Sequence, residues 1–349
     1  MEKLLTVAVP CYNAGWCLDK CLTSFLVESL LNKLEIIVVN DGSTDNTLKI
    51  AKGYQKRYPQ VFHIIDKENG GHGSAINAAI KEANGRYFRV VDSDDWVLTE
   101  NMEAFLEILT KVDVDAILTH FHTVNMVTGK RREYRTRDIP MGRIYTLKEF
   151  TAHPGEIYHC ASFHGLTYRT ETYRKSGVVL SEGIFYEDQE YATLPFTEVK
   201  TVLPLDMFLY EYLVGNANQS VSDRNQVERL SHVEQVMYQL FICCHSNVKL
   251  SEGARKYISR KAADVLGTYY QIALVKNPDK PGGRREVVRV RSKMQELEPG
   301  IVSATDNRYH LALLMNRLGL GGKMLEWMKR PLSYTVFRNL FKKNKGYLL

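Results

Sequence analysis

Apolar and polar positions fall into alternating blocks along the first third of the chain. Leu4–Val9, Glu35–Val39, Val61–Ile65, Tyr87–Val91 and Ala116–Thr119 are short runs rich in β-branched and aromatic residues, and each predicts a buried strand. Between them, Leu18–Leu31, Thr44–Tyr58, Ser74–Ala83 and Asn101–Lys111 place apolar residues at helical spacing. Strand and helix in turn predict βαβ crossovers, and so an α/β domain with a mostly parallel sheet and helices on both faces. From His120 to about Asn218 the pattern is mixed, with short strands and loops. From Asn225 to about Phe341 it is mainly helical, with long amphipathic stretches at Val227–Cys243 and Ala254–Val275 and a loop predicted over Asn277-Pro-Asp-Lys-Pro-Gly-Gly. The expected division is a catalytic domain over 1–222 and a helical C-terminal domain over 223–349.

The polar residues that end the strands carry the candidate chemistry. Pro10-Cys11-Tyr12-Asn13 follows the first strand and Asn40-Asp41-Gly42-Ser43-Thr44-Asp45 the second. Asn69-Gly70-Gly71-His72-Gly73-Ser74 follows the third, and Asp92-Ser93-Asp94-Asp95-Trp96 the fourth. In an open α/β sheet these ends share one edge, where ligands bind. Three carboxylates so close raise one another's pKa, and a hard cation such as Mg²⁺ or Mn²⁺ relieves the repulsion. The same turn could instead be a solvated cap for the helix that begins near Glu100. Tyr12 offers a ring on which a base can stack, Asp41 can accept hydrogen bonds from a base or ribose, and Gly70, Gly71 and Gly73 let backbone approach a ligand. Gly71-x-Gly73 is not a dinucleotide fingerprint, because Ile76 stands where the third glycine would be.

Composition narrows the class. An apolar fraction of 44% and a charged fraction of 25% are those of an ordinary globular protein, which excludes a disordered or fibrous chain. No run of about 18 uncharged apolar residues marks a membrane span, and the short N-terminal apolar run ending at Pro10 does not read as a signal peptide. The six cysteines form no Cys-x-x-Cys pair, which suits free thiols in a cytoplasmic protein. The net charge of +6 belongs to the end of the chain. From Lys323 on, seven basic residues face Glu326 alone, interleaved with apolar and aromatic residues, so residues 323–349 could lie against a membrane interface or pack on the protein. No nucleic-acid-binding motif accompanies them, and no nucleic-acid partner is expected.

Taken together, Val9-Pro-Cys-Tyr-Asn, Val39-Asn-Asp-Gly-Ser-Thr-Asp, Asn69-Gly-Gly-His-Gly-Ser-Ala-Ile-Asn77 and Val91-Asp-Ser-Asp-Asp-Trp96 resemble, in order and spacing, the family-2 glycosyltransferases of GT-A fold. Phe185-Tyr-Glu-Asp-Gln-Glu is similar to the downstream acidic motif of that family. The resemblance implies a nucleotide-sugar donor, usually a UDP-sugar, and inversion at the anomeric carbon. By position it implies that Pro10, Tyr12, Asn13 and Asp41 hold the nucleoside, with Gly71 and Ser93 in the same donor site. Asp92 would sit by the ribose and metal, and Asp94 would be the main ligand of Mn²⁺ or Mg²⁺. Asp188 would be the general base, with Glu187 second for that role. Those two residues could also be an ordinary acidic first helical turn. Gly215-Asn-Ala-Asn-Gln-Ser-Val-Ser222 is similar to a loop that closes over the diphosphate, which makes Gln219 and Ser220 donor contacts.

The Gln-x-x-Arg-Trp motif of the processive polysaccharide synthases is missing, so transfer of one or a few sugars is expected. The implied acceptor is a glycan or a lipid-linked glycan, as in bacterial relatives that build surface polysaccharides at the inner face of the membrane. His153, His159 and His164 precede the acidic motif and receive no role. A nucleotidyltransferase of related fold and a catalytically inactive glycosyltransferase-like scaffold remain as alternatives.

Overall fold

Residues 3–153, 160–215, 223–247 and 249–321 are described by the computed structural model. The five apolar runs form strands, all but the fourth extended at the polar end: β1 (Leu5–Cys11), β2 (Leu34–Asp41), β3 (Phe62–Lys67), β4 (Tyr87–Val90) and, after a two-residue β5 (Trp96–Val97), β6 (Ala116–Asn125). Helices α1 (Leu18–Thr23), α2 (Thr47–Arg57), α3 (His72–Glu82) and α4 (Thr99–Lys111) connect them. α1 is shorter than its apolar pattern predicts. The Ser24 carbonyl accepts from Thr99 Oγ1 at 2.8 Å and the Ser24 hydroxyl from the Val97 amide at 3.1 Å, so packing against the β5–α4 segment ends the helix. The chain resumes as a 3₁₀ turn over Glu28–Lys33.

Later in the chain come β7 (Arg131–Tyr134), β8 (Tyr145–Thr146), β9 (Leu166–Arg169) and the 14-residue β10 (Thr201–Val214). The sheet order is β3-β2-β1-β4-β9-β6-β10-β5, with β7 on β6 and β8 on β10. The half built from β3, β2, β1 and β4 is parallel, as expected. The other half is mixed: β6 and β10 run parallel, while β9 lies antiparallel between β4 and β6. The main core packs Val7, Val9, Ile36 and Val38 against Leu18, Leu22, Phe105 and Leu106.

The chain divides into two compact units, residues 1–219 with 242–261, and residues 220–241 with 262–349. The described part of the second unit is helical, with helices Lys280–Leu297 and Asp306–Arg317 packed on a π-helical stretch, Gln271–Lys276. The predicted loop there is shorter than expected, because Pro281, Gly282 and Gly283 lie inside the first turns of the helix. Asp279 caps it by accepting from the Gly282 amide at 2.9 Å, proline is tolerated at a first turn, and a Cβ on Gly283 would sit 1.9 Å from the Ala273 carbonyl oxygen. No described helix is long and apolar enough to cross a membrane.

Candidate active site

The polar ends of β1, β2 and β3 are tied into one lattice of loops. Pro10 is buried in β1 opposite Val39. Asn13 takes a left-handed backbone, φ +51°, which asparagine tolerates. Its amide donates to Ser43 Oγ at 3.0 Å, and its Oδ1 accepts from the Thr44 amide at 2.9 Å. Beside it Tyr12 stands 57% exposed, free to offer a ring face. Asp41 is buried, and its carboxylate accepts from the Gly70 and Gly71 amides, at 3.0 and 2.8 Å, and from Lys67 Nζ at 2.6 Å.

Gly71 and Gly73 both sit where another part of the chain comes close. A Cβ on Gly71 would lie 3.0 Å from the Gly183 amide nitrogen, and one on Gly73 would lie 2.3 Å from the Ser181 carbonyl oxygen. The close approach is therefore to another part of the same chain, and the Gly183 amide donates to the Gly70 carbonyl at 2.8 Å. Segment 181–183 leads into the acidic motif, where Glu187 precedes the short helix Asp188–Tyr191.

After β4 the chain turns tightly, the Asp95 amide donating to the Asp92 carbonyl at 3.0 Å. Carboxylate oxygens of Asp92, Asp94 and Asp95 all lie within 4.8 Å of one another, as the spacing suggested. Their environments differ. Asp95 is buried and accepts from the Tyr210 hydroxyl at 2.5 Å and the Leu213 amide at 2.7 Å, fastening the turn to β10. Burial, then the Asp92 and Asp94 charges, push its pKa well up. Asp94 is half-buried, and burial with the Asp92 charge pushes it up to about 6. Burial alone would raise Asp92 too, but its ion pair with His72 outweighs this and holds it below the usual range. Ser93, between Asp92 and Asp94, is half-buried.

His72, the first residue of α3, received no role in the sequence and lies at the centre of the site. Its Nε2 lies 2.8 Å from Asp92 Oδ1, and its Nδ1 lies 2.6 Å from Glu187 Oε1. Two carboxylate partners require an imidazole that donates from both nitrogens. Burial works against that charge, but the two carboxylates prevail and raise its pKa well above the usual value. A histidine between two glycines was the only local signal. Glu187 is 3% exposed and committed to this contact. Asp188 is half-buried, accepts from Gln189 Nε2 at 3.1 Å, and is pushed up to about 6 by burial and by the Glu187 charge. Tyr186, just before the pair, holds a left-handed φ of +74°, a strained backbone for a tyrosine.

Gln219, Ser220 and His159 lie outside the described residues, as do 322–349. His153 meets Tyr145 edge-on, and His164 stacks on Tyr212 at 4.2 Å, where burial depresses its pKa to about 4. The six cysteines are free thiols, and Cys17 and Cys21 are buried.

Residues 6–166 match the family model Glycosyl transferase family 2. An uncharacterized glycosyltransferase of Bacillus subtilis, EpsJ, is 32% identical over 216 residues, covering 61% of this chain and 61% of that protein. The chain thus spans less than two thirds of that relative. Among solved structures, S. aureus TarS 1–349 superposes with a TM-score of 0.60 at 19% identity, over 90% of this chain and 92% of that one. Its complex with UDP-GlcNAc gives 0.55 at 20% identity, over 91% and 92%. A mannosyltransferase of Pyrobaculum calidifontis, in complex with GDP-Man and Mn²⁺, gives 0.51 at 16% identity, over 91% and 88%. At these identities the structural likeness shows the fold.

Proposed function

We propose that this chain, which matches the Glycosyl transferase family 2 model over residues 6–166, is a glycosyltransferase of that family that moves a single sugar, with inversion, from a UDP-sugar to a hydroxyl of a glycan or lipid-linked acceptor. The observation that carries this reading is the contact of His72 with both Asp92, at 2.8 Å, and Glu187, at 2.6 Å, which brings together two half-buried aspartates, Asp94 and Asp188, each pushed up to about 6. UDP-GlcNAc in the TarS complex supports a uridine donor, and Mn²⁺ in the mannosyltransferase supports a divalent ion.

The turn after β4 fits such an ion. Burial and neighbouring carboxylates push Asp94 and Asp95 up, and Asp95 is already occupied by β10, which leaves Asp94 and Asp92 to hold Mn²⁺ or Mg²⁺. When bound, the ion offsets the negative charge that develops on the departing diphosphate. Tyr12, at the exposed end of β1, stacks on the uracil, and Asn13 and Asp41 keep the loops around the nucleoside in place. Asp188 takes the proton of the acceptor hydroxyl. The oxygen then forms its bond to the anomeric carbon on the face opposite the diphosphate, and the bond from that carbon to the phosphate oxygen breaks. Glu187 is less suited to this task because it is buried against His72.

A panel of nucleotide-sugars assayed for metal-dependent hydrolysis tests the reading. Release of UDP that stops with excess EDTA is expected; release unaffected by EDTA overturns the metal role. Release of pyrophosphate from a nucleoside triphosphate would favour a nucleotidyltransferase. The basic residues 323–349 would draw the enzyme to the inner face of a membrane, each near an anionic surface contributing about 1 kcal/mol. Anionic liposomes should pellet the full chain and not a truncation before Lys323; equal pelleting of both overturns this.

A further inference from the structure

Nothing in the chemistry above uses His72, yet its imidazole joins three parts of the chain that are far apart in sequence. Its partners Asp92 and Glu187 are 20 and 115 residues away. The histidine itself is anchored from behind. The Gly70–Gly71 backbone that delivers it is held by the Asp41 carboxylate, and the Phe163 ring packs beside the imidazole, centroids 5.5 Å apart. On the far side, Glu187 is pressed against Gly73, where a Cβ would lie 3.1 Å from Glu187 Cγ. A histidine needed only to fill this space would require one polar partner; this one has a charged partner on each nitrogen, each from a different working element.

We propose that His72 is a positioning residue that couples the two halves of the reaction, so that nucleoside diphosphate binding at the Asp92–Asp94 turn and placement of the Glu187–Asp188 pair depend on each other through its imidazole. The proposal rests on the glycosyltransferase reading of the site. Asp92 presents its free oxygen to the turn only while His72 holds the other, and His72 is held in that rotamer by Glu187. Removing Glu187 therefore reaches the donor site although Glu187 itself faces the acceptor side. Outer partners of ligand carboxylates typically govern affinity by about 10- to 100-fold.

The test is a double-mutant cycle on UDP affinity, measured calorimetrically in Mn²⁺ with the full chain, with melting temperature recorded for each variant. Glu187→Ala should weaken UDP binding about 10-fold in the parent and less than about 2-fold in a His72→Ala background. His72→Gln, which can donate to one carboxylate but not to both, should recover part of the affinity lost in His72→Ala and still leave Glu187→Ala without added effect. It also serves in place of His72→Ala if that variant does not fold. A Glu187→Ala effect of equal size with and without His72 overturns the coupling, as does no effect in either background. Failure of the parent to bind UDP at all, in Mn²⁺ or Mg²⁺, would instead remove the donor reading on which the coupling rests.

Discussion

Asp41 ends β2 and Asp94 follows β4, and these two strands flank β1 in the same parallel sheet. Both residues are strand-end aspartates at the ligand-binding edge. Asp41 is buried with its charge answered by two backbone amides and a lysine. Asp94 is half-buried, and burial together with the Asp92 charge pushes it up to about 6. One carboxylate has been folded into the scaffold, and the other is held in an unfavourable state that a cation would relieve. The contrast separates building a site from working in it, and substitutions at the two positions should fail in different ways.

The largest effect is expected at the unrelieved turn. Asp94→Ala should abolish transfer and metal-dependent UDP binding while leaving the protein folded, as judged by circular dichroism and nucleotide calorimetry. Full activity in this variant would place Asp94 with Asp41 as a scaffold residue. Next comes Asp188→Asn, with kcat lowered roughly 10²- to 10⁴-fold, the usual worth of a general base, and UDP affinity nearly unchanged. Because the Asp188 carboxyl is pushed up to about 6, it is protonated and idle below that pH. Parent kcat should therefore rise with pH through about 6 and level off above it, and the residual activity of Asp188→Asn should lack that limb. A fall in UDP affinity as steep as the fall in turnover would move Asp188 to the donor side.

The scaffold half of this contrast was the more legible in the sequence. Apolar runs such as Leu5–Val9 and Ile36–Val39, punctuated by Gly, Asp and Asn, are local signals, and they place the ends of β1 to β4 at one edge with little ambiguity. What escaped depends on partners distant in sequence. The four residues of β9 become a strand only because β4 and β6 accept them on either side. α1 stops at Thr23 because the β5–α4 segment takes the Ser24 hydroxyl and carbonyl. Gly71 and Gly73 announce a close approach without saying to what, and the answer, Ser181 and Gly183, lies over a hundred residues on. His72 was invisible for the same reason, since both carboxylates that give it meaning come from other elements.

A middle-sized effect, in stability, is expected on the scaffold side. Asp41→Asn removes the charge beside Lys67 and turns an NH2 donor toward either the Gly71 amide or the Gly70 amide and Lys67 together. Losses of this type come to roughly 2–4 kcal/mol, or a drop in Tm of roughly 4–16 °C at about 2–4 °C per kcal/mol. Thermal unfolding of the metal-free protein would show it. An unchanged Tm with lowered UDP affinity would mean that Asp41 acts chiefly on the nucleoside.

The smallest effect has the opposite sign. Asp94 has an ordinary carboxyl pKa near 3.8 when unfolded and one of about 6 when folded. The folded state therefore binds the proton more tightly, and the metal-free protein loses stability as pH rises from about 4 through 6, with the full penalty present above that. A shift of this size corresponds to at most about 3 kcal/mol, and solvent around a half-buried turn screens it to about 1 kcal/mol. Asp94→Asn carries no such charge, so it should match the parent near pH 4 and be about 1 kcal/mol more stable at pH 7 without metal. Adding Mn²⁺ with UDP should reverse the order, because ligand binding stabilises the parent in proportion to the logarithm of ligand concentration over Kd and does little for the variant. Urea unfolding at pH 4 and pH 7, with and without Mn²⁺ and UDP, gives all four values. If Asp94→Asn destabilises the metal-free protein at pH 7 as Asp41→Asn does, the two strand-end carboxylates are alike and the turn after β4 is scaffold as well.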